Sequence, residues 1–219
     1  TGAPAITMEG ADAASFWADL GSRWLILEQY FKPYPVCRWA QAPIEGVLAL
    51  KRAHGLTSDM VDHIEIRTFH ESVRLATNDP KTTEEAQYST SYPCAVALVS
   101  GDVGIAEVMP PAFENAEVRR ISTGLVMVED AQCNATFPAQ RHARTVIHLK
   151  NGTTLRSETM SPRWTADEPP TEAELRQKFH ALAAPLIGAD RAKAIEAATA
   201  ALRSGGTVSA FSALVCQGN

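Results

Sequence analysis

The dipeptide Asn151-Gly152 stands between two strand-like runs, residues 144–149 and 153–159, and constrains the fold more than any other feature of the sequence. Asn-Gly is the strongest short signal for a β-hairpin, because both positions of the tightest turns need a positive φ. Residues 63–69 alternate with period two, which predicts a further strand with one buried face. The chain is therefore expected to contain a sheet with an antiparallel hairpin.

Helical patterns lie on both sides of these strands. Residues 43–54 predict a helix, since Pro43 suits its first turn and Gly55 suits its C-terminal cap. Thr171 and Glu174 form a capping-box pattern at the start of a C-terminal helix. Further helices are predicted over residues 86–100, 117–127, 189–203 and 207–215. This mixture predicts an α+β fold, in which a small α+β domain with a hairpin-containing sheet is flanked by helical segments.

The first 31 residues form a separate stretch. Apolar side chains recur there at helical spacing on one face, at Phe16, Trp17, Leu20, Trp24 and Leu27. The segment that follows, residues 31–35, contains two prolines and cannot lie inside a helix, because proline lacks a backbone donor and restricts the residue before it. We therefore place a domain boundary at this segment.

The chain begins at Thr1 without an initiator methionine. This predicts either a processed protein or the later part of a longer chain. In a further alternative, Thr1 is an N-terminal nucleophile whose own amine acts as the base. A chain that simply begins at this residue is the simpler interpretation.

The composition excludes several classes of protein. Apolar residues make up 45% and charged residues 21%, which is ordinary for a globular protein and rules out intrinsic disorder. The net charge of -5 and the lack of a basic stripe argue against nucleic-acid binding. The longest apolar runs, such as residues 94–99, are too short to span a membrane. The four cysteines show no C-x-x-C spacing, which predicts reduced thiols in a cytoplasmic protein.

Common motifs for metal, nucleotide or acyl chemistry are missing from the sequence. The six histidines include no H-E-x-x-H pattern, so we predict no metal site. Neither a glycine-rich phosphate loop nor a G-x-S-x-G elbow is present. Two polar segments remain as candidates for a functional site.

The first candidate is residues 30–39, where Lys32, Cys37 and Arg38 accompany aromatic rings on a proline-stiffened turn. Such a turn can hold cations in place and lower the entropy lost on binding an anion. Arginine grips a carboxylate with two hydrogen bonds, whereas lysine acts as a point charge. A domain hinge with solvated charges is the simpler alternative.

The second candidate is residues 86–95, which place several hydroxyl groups, including those of Ser89 and Tyr92, at the start of an apolar helix. Helix N-termini attract anions through free backbone N–H groups. A phenol at such a place can donate or relay a proton. N-capping by serine or threonine, with Tyr92 as a packing residue, is the simpler alternative.

At these two segments the sequence resembles the MmgE/PrpD family, which includes 2-methylcitrate dehydratase, cis-aconitate decarboxylase and iminodisuccinate epimerase. The resemblance is carried, in order, by residues 32–38, 43–46, 54–56, 86–92, 95–98, 137–139, 151–152, 161–163, 174–175 and 178–179. It implies that this chain is the later part of the family's architecture. Three parts follow from it: the end of a helical domain (1–31), a small α+β domain (32–163) and C-terminal helices that return to the helical domain (164–219).

The resemblance implies an active site in the cleft between the two domains, with no cofactor and no metal. Lys32 matches a pocket lysine and Tyr92 a pocket tyrosine, so both are candidate catalytic residues. The candidate substrate-binding residues are Lys32, Cys37, Arg38 and Ser89. Cys37 stands where decarboxylase-like members carry histidine. Gln41 also stands at a position where many relatives have histidine. The other acid–base residues would lie in the helical region.

The resemblance further predicts a cytoplasmic carbon–oxygen lyase that dehydrates a small di- or tricarboxylate, 2-methylcitrate or a similar acid. Lys32 and Arg38 would bind carboxylates, and Tyr92 would give a proton to the leaving hydroxyl. A homodimer without nucleic-acid or membrane partners is expected. The alternatives are a cofactor-independent epimerase of an iminodisuccinate-like dicarboxylate and a non-catalytic fragment that lacks the helical half.

Overall fold

A four-stranded sheet forms the centre of the protein, for which a computed structural model describes residue 15 and residues 17–216. The strands are β1 (Val61–Thr68), β2 (Val126–Glu129), β3 (Ala143–Leu149) and β4 (Thr154–Arg156). Their order across the sheet is β2-β1-β3-β4. Strands β1 and β2 run parallel, whereas β3 is antiparallel to both β1 and β4.

Helices precede, interrupt and follow the sheet. They are α1 (Gln41–His54), α2 (His70–Arg74), α3 (Thr83–Tyr88), α4 (Tyr92–Ser100), α5 (Pro110–Phe113), α6 (Ala116–Thr123), α7 (Ala131–Thr136), α8 (Glu172–Ile187), α9 (Ala189–Ala201) and α10 (Val208–Val215). Short 3₁₀ helices occupy Leu25–Glu28, Arg38–Ala40, Ser58–Met60, Ala106–Val108 and Leu202–Ser204.

Helices α1 and α6 pack on the sheet, and α4 packs on both of these helices. Helix α1 packs on β3 and α4, and α6 packs on β1 and α4. The inner face of β1 contributes Ile64 and Ile66, which are fully buried, while His63 and Glu65 on the outer face are half-buried. This alternation follows from the two-residue period of a strand. The predicted α+β fold is confirmed, with the core between the helices and the sheet.

The predicted hairpin is confirmed, with a second strand that is shorter than expected. Gly152 has a φ of 88°, but Asn151 does not share the positive φ that we predicted for both turn residues. The side chain of Asn151 instead accepts a hydrogen bond from the Thr153 N–H at 2.9 Å. The Gly152 N–H donates to the Leu149 carbonyl at 2.9 Å. This turn therefore needs only one left-handed residue.

Two of the predicted helices differ in extent. The stretch 86–100 is divided between α3 and α4, because the chain leaves the helical conformation at Ser89, the C-cap of α3, and α4 begins only after its N-cap Ser91. The prediction for residues 117–127 was wrong beyond Thr123, since residues 126–129 form β2. This half-exposed strand of four residues carries little pattern of its own, and β1 supplies its hydrogen bonds.

Local signals at other helix ends are confirmed. Helix α1 ends at Gly55, which has a left-handed φ of 59°. The capping box between Thr171 and Glu174 is present at the start of α8. Helices α8, α9 and α10 pack on one another in sequence order.

The helical pattern predicted near the N-terminus lies partly outside the described residues, as does Thr1. Over residues 17–28 the chain forms turns and a 3₁₀ helix. The side chains of Trp17, Leu20 and Trp24 are more than half exposed. An amphipathic helix depends on burying its apolar face, and the side chains of Leu20 and Trp24 stay mostly exposed.

Candidate active site

The proline-rich turn at residues 31–37 is held on the N-terminus of α1. The Nε2 atom of Gln41, which is fully buried, donates to the carbonyl oxygens of Tyr34, Val36 and Cys37 at 3.2–3.3 Å. The Tyr34 hydroxyl donates to Oε1 of the buried Glu45 at 2.9 Å. Gln41 therefore organises the backbone of this turn.

Arg38 closes the same turn from its other side. Its Nη1 atom donates to the carbonyl oxygens of Phe31 at 3.1 Å and Arg163 at 2.8 Å, and its guanidinium lies 4.1 Å from the centre of the Tyr30 ring. The residue is only 7% exposed, and burial lowers the pKa of its side chain. Arg38 lines a hollow with Arg141 and His142 that does not include Lys32.

Lys32 lies at the junction of two adjoining hollows, of about 160 and 350 Å³, which we call the Lys32 groove. Both hollows are lined by Lys32, Pro35 and Gln87. Within the described residues, the Lys32 ammonium makes no hydrogen bond or ion pair. Its charge is therefore available to a ligand.

Cys37 lines the smaller hollow together with Lys32 and Tyr88. Its N–H donates to the Gln87 carbonyl at 2.7 Å, which joins the turn to the end of α3. The structure thus places Lys32 and Cys37 in the lining of one hollow.

Ser89 lies outside the groove. Its Oγ atom accepts from the N–H groups of Tyr92 at 3.0 Å and Ser91 at 3.2 Å, and donates to the Thr77 carbonyl at 2.9 Å. These bonds satisfy two N–H groups at the start of α4 and tie that helix to the loop that follows α2. The side chain is buried in this arrangement.

Tyr92 is likewise not part of the groove lining. Its hydroxyl donates to the Glu107 carbonyl at 2.9 Å, and its ring meets the edge of Phe113 with 5.9 Å between centroids. The side chain is 1% exposed, and burial together with the nearby Glu107 charge raises the pKa of Tyr92 to about 12. The phenol does not line the Lys32 groove.

The groove is also lined by Gln87, Tyr88 and Lys178, which were not among the predicted site residues. Gln87 and Tyr88 stand directly before Ser89, so they belong to the second candidate segment, although neither was named among the candidate site residues. Lys178 belongs to a dipeptide that carried part of the family resemblance, yet nothing local in the sequence places it beside Lys32. Its Nζ atom donates to the main-chain carbonyl of Lys32.

The larger hollow of the groove has an unbalanced charge. Lys32 and Lys178 are the charged residues that line it, and no carboxylate accompanies them in the described lining. Burial lowers the pKa of Lys178, and the neighbouring charge of Lys32 lowers it further. An arrangement of this kind attracts anions.

Other kinds of site find no counterpart in the described part of the chain. No three His, Cys, Asp or Glu side chains of residues 15 and 17–216 lie close enough to share a metal ion. Among the helices described, none is long and apolar enough to cross a membrane. All four cysteines are free thiols, and those of Cys94 and Cys133 are buried.

The fold and the groove together define an α+β domain with a small cationic cleft at its proline turn. The family model of the MmgE/PrpD C-terminal domain matches residues 34–204, which is most of the chain. The protein therefore belongs to the MmgE/PrpD family, and the sequence resemblance is confirmed. The family consists generally of enzymes, lyases and dehydratases among them. A search of curated proteins finds no match to this chain.

Proposed function

We propose that this protein is a carbon–oxygen lyase that dehydrates a small di- or tricarboxylate similar to 2-methylcitrate. The Lys32 groove carries this proposal, because an entering anion meets two ammonium groups and no described carboxylate in the larger hollow. The volume of about 350 Å³ lies at the lower end of the range for ligand pockets, which suits a small acid. Membership of the MmgE/PrpD family supports the same reaction class.

Lys32 is the proposed carboxylate ligand, and Cys37 lines the site beside it. In the reaction, a base takes the proton from the carbon next to a carboxylate, and the electron pair of that C–H bond forms a carbon–carbon double bond. The hydroxyl on the adjacent carbon leaves with a proton from a donor, as water. The Lys32 charge stabilises the negative charge that builds on the carboxylate during proton loss.

In this proposal, a tyrosine hydroxyl of the site gives the proton to the leaving hydroxyl. Tyr92 stays our prediction for this role from the sequence, and Tyr88 is the phenol that lines the groove in the structure. The direct substrate contacts of Arg38 and Ser89 likewise stay predictions. Their hydrogen bonds to main-chain groups support a positioning role for both residues.

The base would come from a helical domain that packs on this one, in the same chain or another. Exposed apolar side chains at Trp17, Leu20 and Trp24 support such a contact. In this proposal residues 1–31 end that domain, residues 32–163 form the α+β domain, and residues 164–219 return to it. A cytoplasmic homodimer without cofactor, metal, nucleic-acid or membrane partners completes the proposal.

Replacing Lys32 tests the site in the native gene product that contains this chain. We expect Lys32→Ala to lower kcat/KM for the dehydrated acid by about 10- to 100-fold, because a charge-assisted hydrogen bond to the substrate is lost. Lys81→Ala is the matched control, since Lys81 is exposed and pairs with Asp79 outside the groove. Product formation is followed by the absorbance of the new double bond. Equal kinetics for the two variants would remove Lys32 from the site.

The same assay in D₂O separates the reaction types. Loss of water from the substrate supports the lyase, whereas deuterium uptake with inversion and no loss of water would replace it with the epimerase. If neither reaction occurs with any di- or tricarboxylate, a non-catalytic role is favoured instead. In parallel, Tyr88→Phe and Tyr92→Phe identify the proton donor, whose loss lowers kcat by about 10²- to 10⁴-fold.

A further inference from the structure

We propose that Lys178 is a second carboxylate ligand of the Lys32 groove and makes the site select dicarboxylates over monocarboxylates. The inference deepens the proposed function and rests on it, since it names a residue that determines which acids the same site accepts. Lys178 lies on α8, 146 positions from Lys32 along the chain.

The position of Lys178 supports this role. Its ammonium reaches the main-chain carbonyl of Lys32, and both side chains line the hollow of about 350 Å³ with Gln87 and Leu182. Residues of the turn itself, Pro33 to Pro35, complete the lining. A ligand in this hollow therefore lies within reach of two cations that belong to separate elements.

Within the larger hollow, the two lysines have no carboxylate beside them in the described lining. Lys178 also lines the neighbouring hollow, which holds Asp102, Glu174 and Arg163, but it forms no ion pair with either carboxylate. Lys178 is half-buried, and both its burial and the Lys32 charge disfavour its ammonium form. One carboxylate neutralises one of these cations, whereas a dicarboxylate neutralises both. The second carboxylate should therefore add affinity that a monocarboxylate cannot obtain.

Lys178 is also held in place independently of any ligand. Its Nζ atom lies 6.0 Å from the centre of the Trp164 ring. Trp164 donates through Nε1 to Glu174, one turn earlier on α8, at 3.4 Å. The helix is thus anchored beside the turn, so the ammonium is positioned before a ligand binds and loses less entropy on binding.

A purely structural role is the competing explanation, because Lys178 donates a hydrogen bond to Lys32. Lys178→Gln keeps an N–H donor but removes the charge, and Lys178→Arg keeps the charge. Calorimetric titration with succinate and with butyrate compares two acids of equal chain length that differ in one carboxylate. Lys193→Gln, on the exposed side of α9, is the control.

We expect Lys178→Gln to weaken succinate binding by about 10- to 100-fold and butyrate binding by less than about 3-fold. Lys178→Arg should retain most of the preference for succinate. Equal losses for both acids in Lys178→Gln, or no loss for either, would overturn the inference. It would also be overturned if the wild-type protein bound neither acid.

Failure of the proposed function gives a different result. If the native gene product turns over no acid but shows the Lys178-dependent preference for succinate, the binding inference stands and the lyase assignment falls. If it dehydrates a dicarboxylate with the same KM in wild type and Lys178→Gln, the lyase stands and the role of Lys178 is lost.

Discussion

Tyr92 links its own ionisation to the stability of the protein. Its hydroxyl is buried against the Glu107 carbonyl, and burial raises the pKa of the phenol to about 12, whereas an unfolded tyrosine has a pKa of about 10. Above pH 10 the unfolded chain therefore releases a proton that the folded chain retains. The contribution of this group to stability is complete below about pH 10 and is lost as the pH rises towards 12.

We expect Tyr92→Phe to lower the free energy of unfolding by about 1 kcal/mol at pH 7, because the Glu107 carbonyl loses its donor. Between pH 10 and 12, stability should also fall less steeply than in the wild type. Denaturant unfolding at a series of pH values measures both effects. Tyr88→Phe is the control, because Tyr88 is 60% exposed and should change neither quantity. An unaltered slope in Tyr92→Phe would contradict the explanation.

Helix α1 approaches β3 so closely that glycine is favoured at one position of the helix. A Cβ atom on Gly46 would lie 2.3 Å from Oγ1 and 2.9 Å from Cβ of Thr145. Glycine inside a helix is normally less stable than alanine by about 1 kcal/mol. The contact between helix and sheet therefore outweighs local helix propensity at this position.

Gly46→Ala should lower the free energy of unfolding by about 1–3 kcal/mol, since α1 must move away from the sheet to accommodate the methyl group. Thermal or denaturant unfolding measures the change. The penalty should be smaller when the same substitution is made in a Thr145→Ala background, where the nearest atom is gone. A gain in stability from Gly46→Ala would show that the helix and sheet adjust freely.

Arg163 joins three parts of the molecule. Its Nε atom pairs with Oε1 of Glu45 on α1 at 2.5 Å, and its Nη1 lies 4.0 Å from Glu174 on α8. Its carbonyl accepts the hydrogen bond from Arg38 on the proline turn. Burial alone would lower the pKa of Arg163, but the hydrogen bonds to Glu45 and Tyr34 outweigh it and the pKa is raised.

Arg163→Ala should lower the free energy of unfolding by about 2 kcal/mol, because it leaves the buried Glu45 without its cation. This value lies between the losses typical of exposed and of buried ion pairs. Arg67→Ala, which removes an exposed pair with Glu65, should cost less than about 1 kcal/mol. Denaturant unfolding compares the two variants. A smaller loss for Arg163→Ala than for Arg67→Ala would show that the junction does not stabilise the fold.

By itself the sequence determined the features that depend on neighbouring residues: the alternation of β1, the glycine that ends α1, the capping box of α8 and the hairpin at Gly152. It also determined that Lys32 and Cys37 share one stiff turn. These features are set by bonds between residues a few positions apart, so their signals are local.

Only the tertiary structure decided which distant groups meet. It paired β2 with β1, buried Tyr92 beneath Glu107, turned Arg38 towards main-chain carbonyls, and brought Lys178 into the groove of Lys32. Each of these contacts depends on how helices pack across the sheet and against the turn. Packing is a property of the whole chain, and so no short pattern in the sequence could predict it.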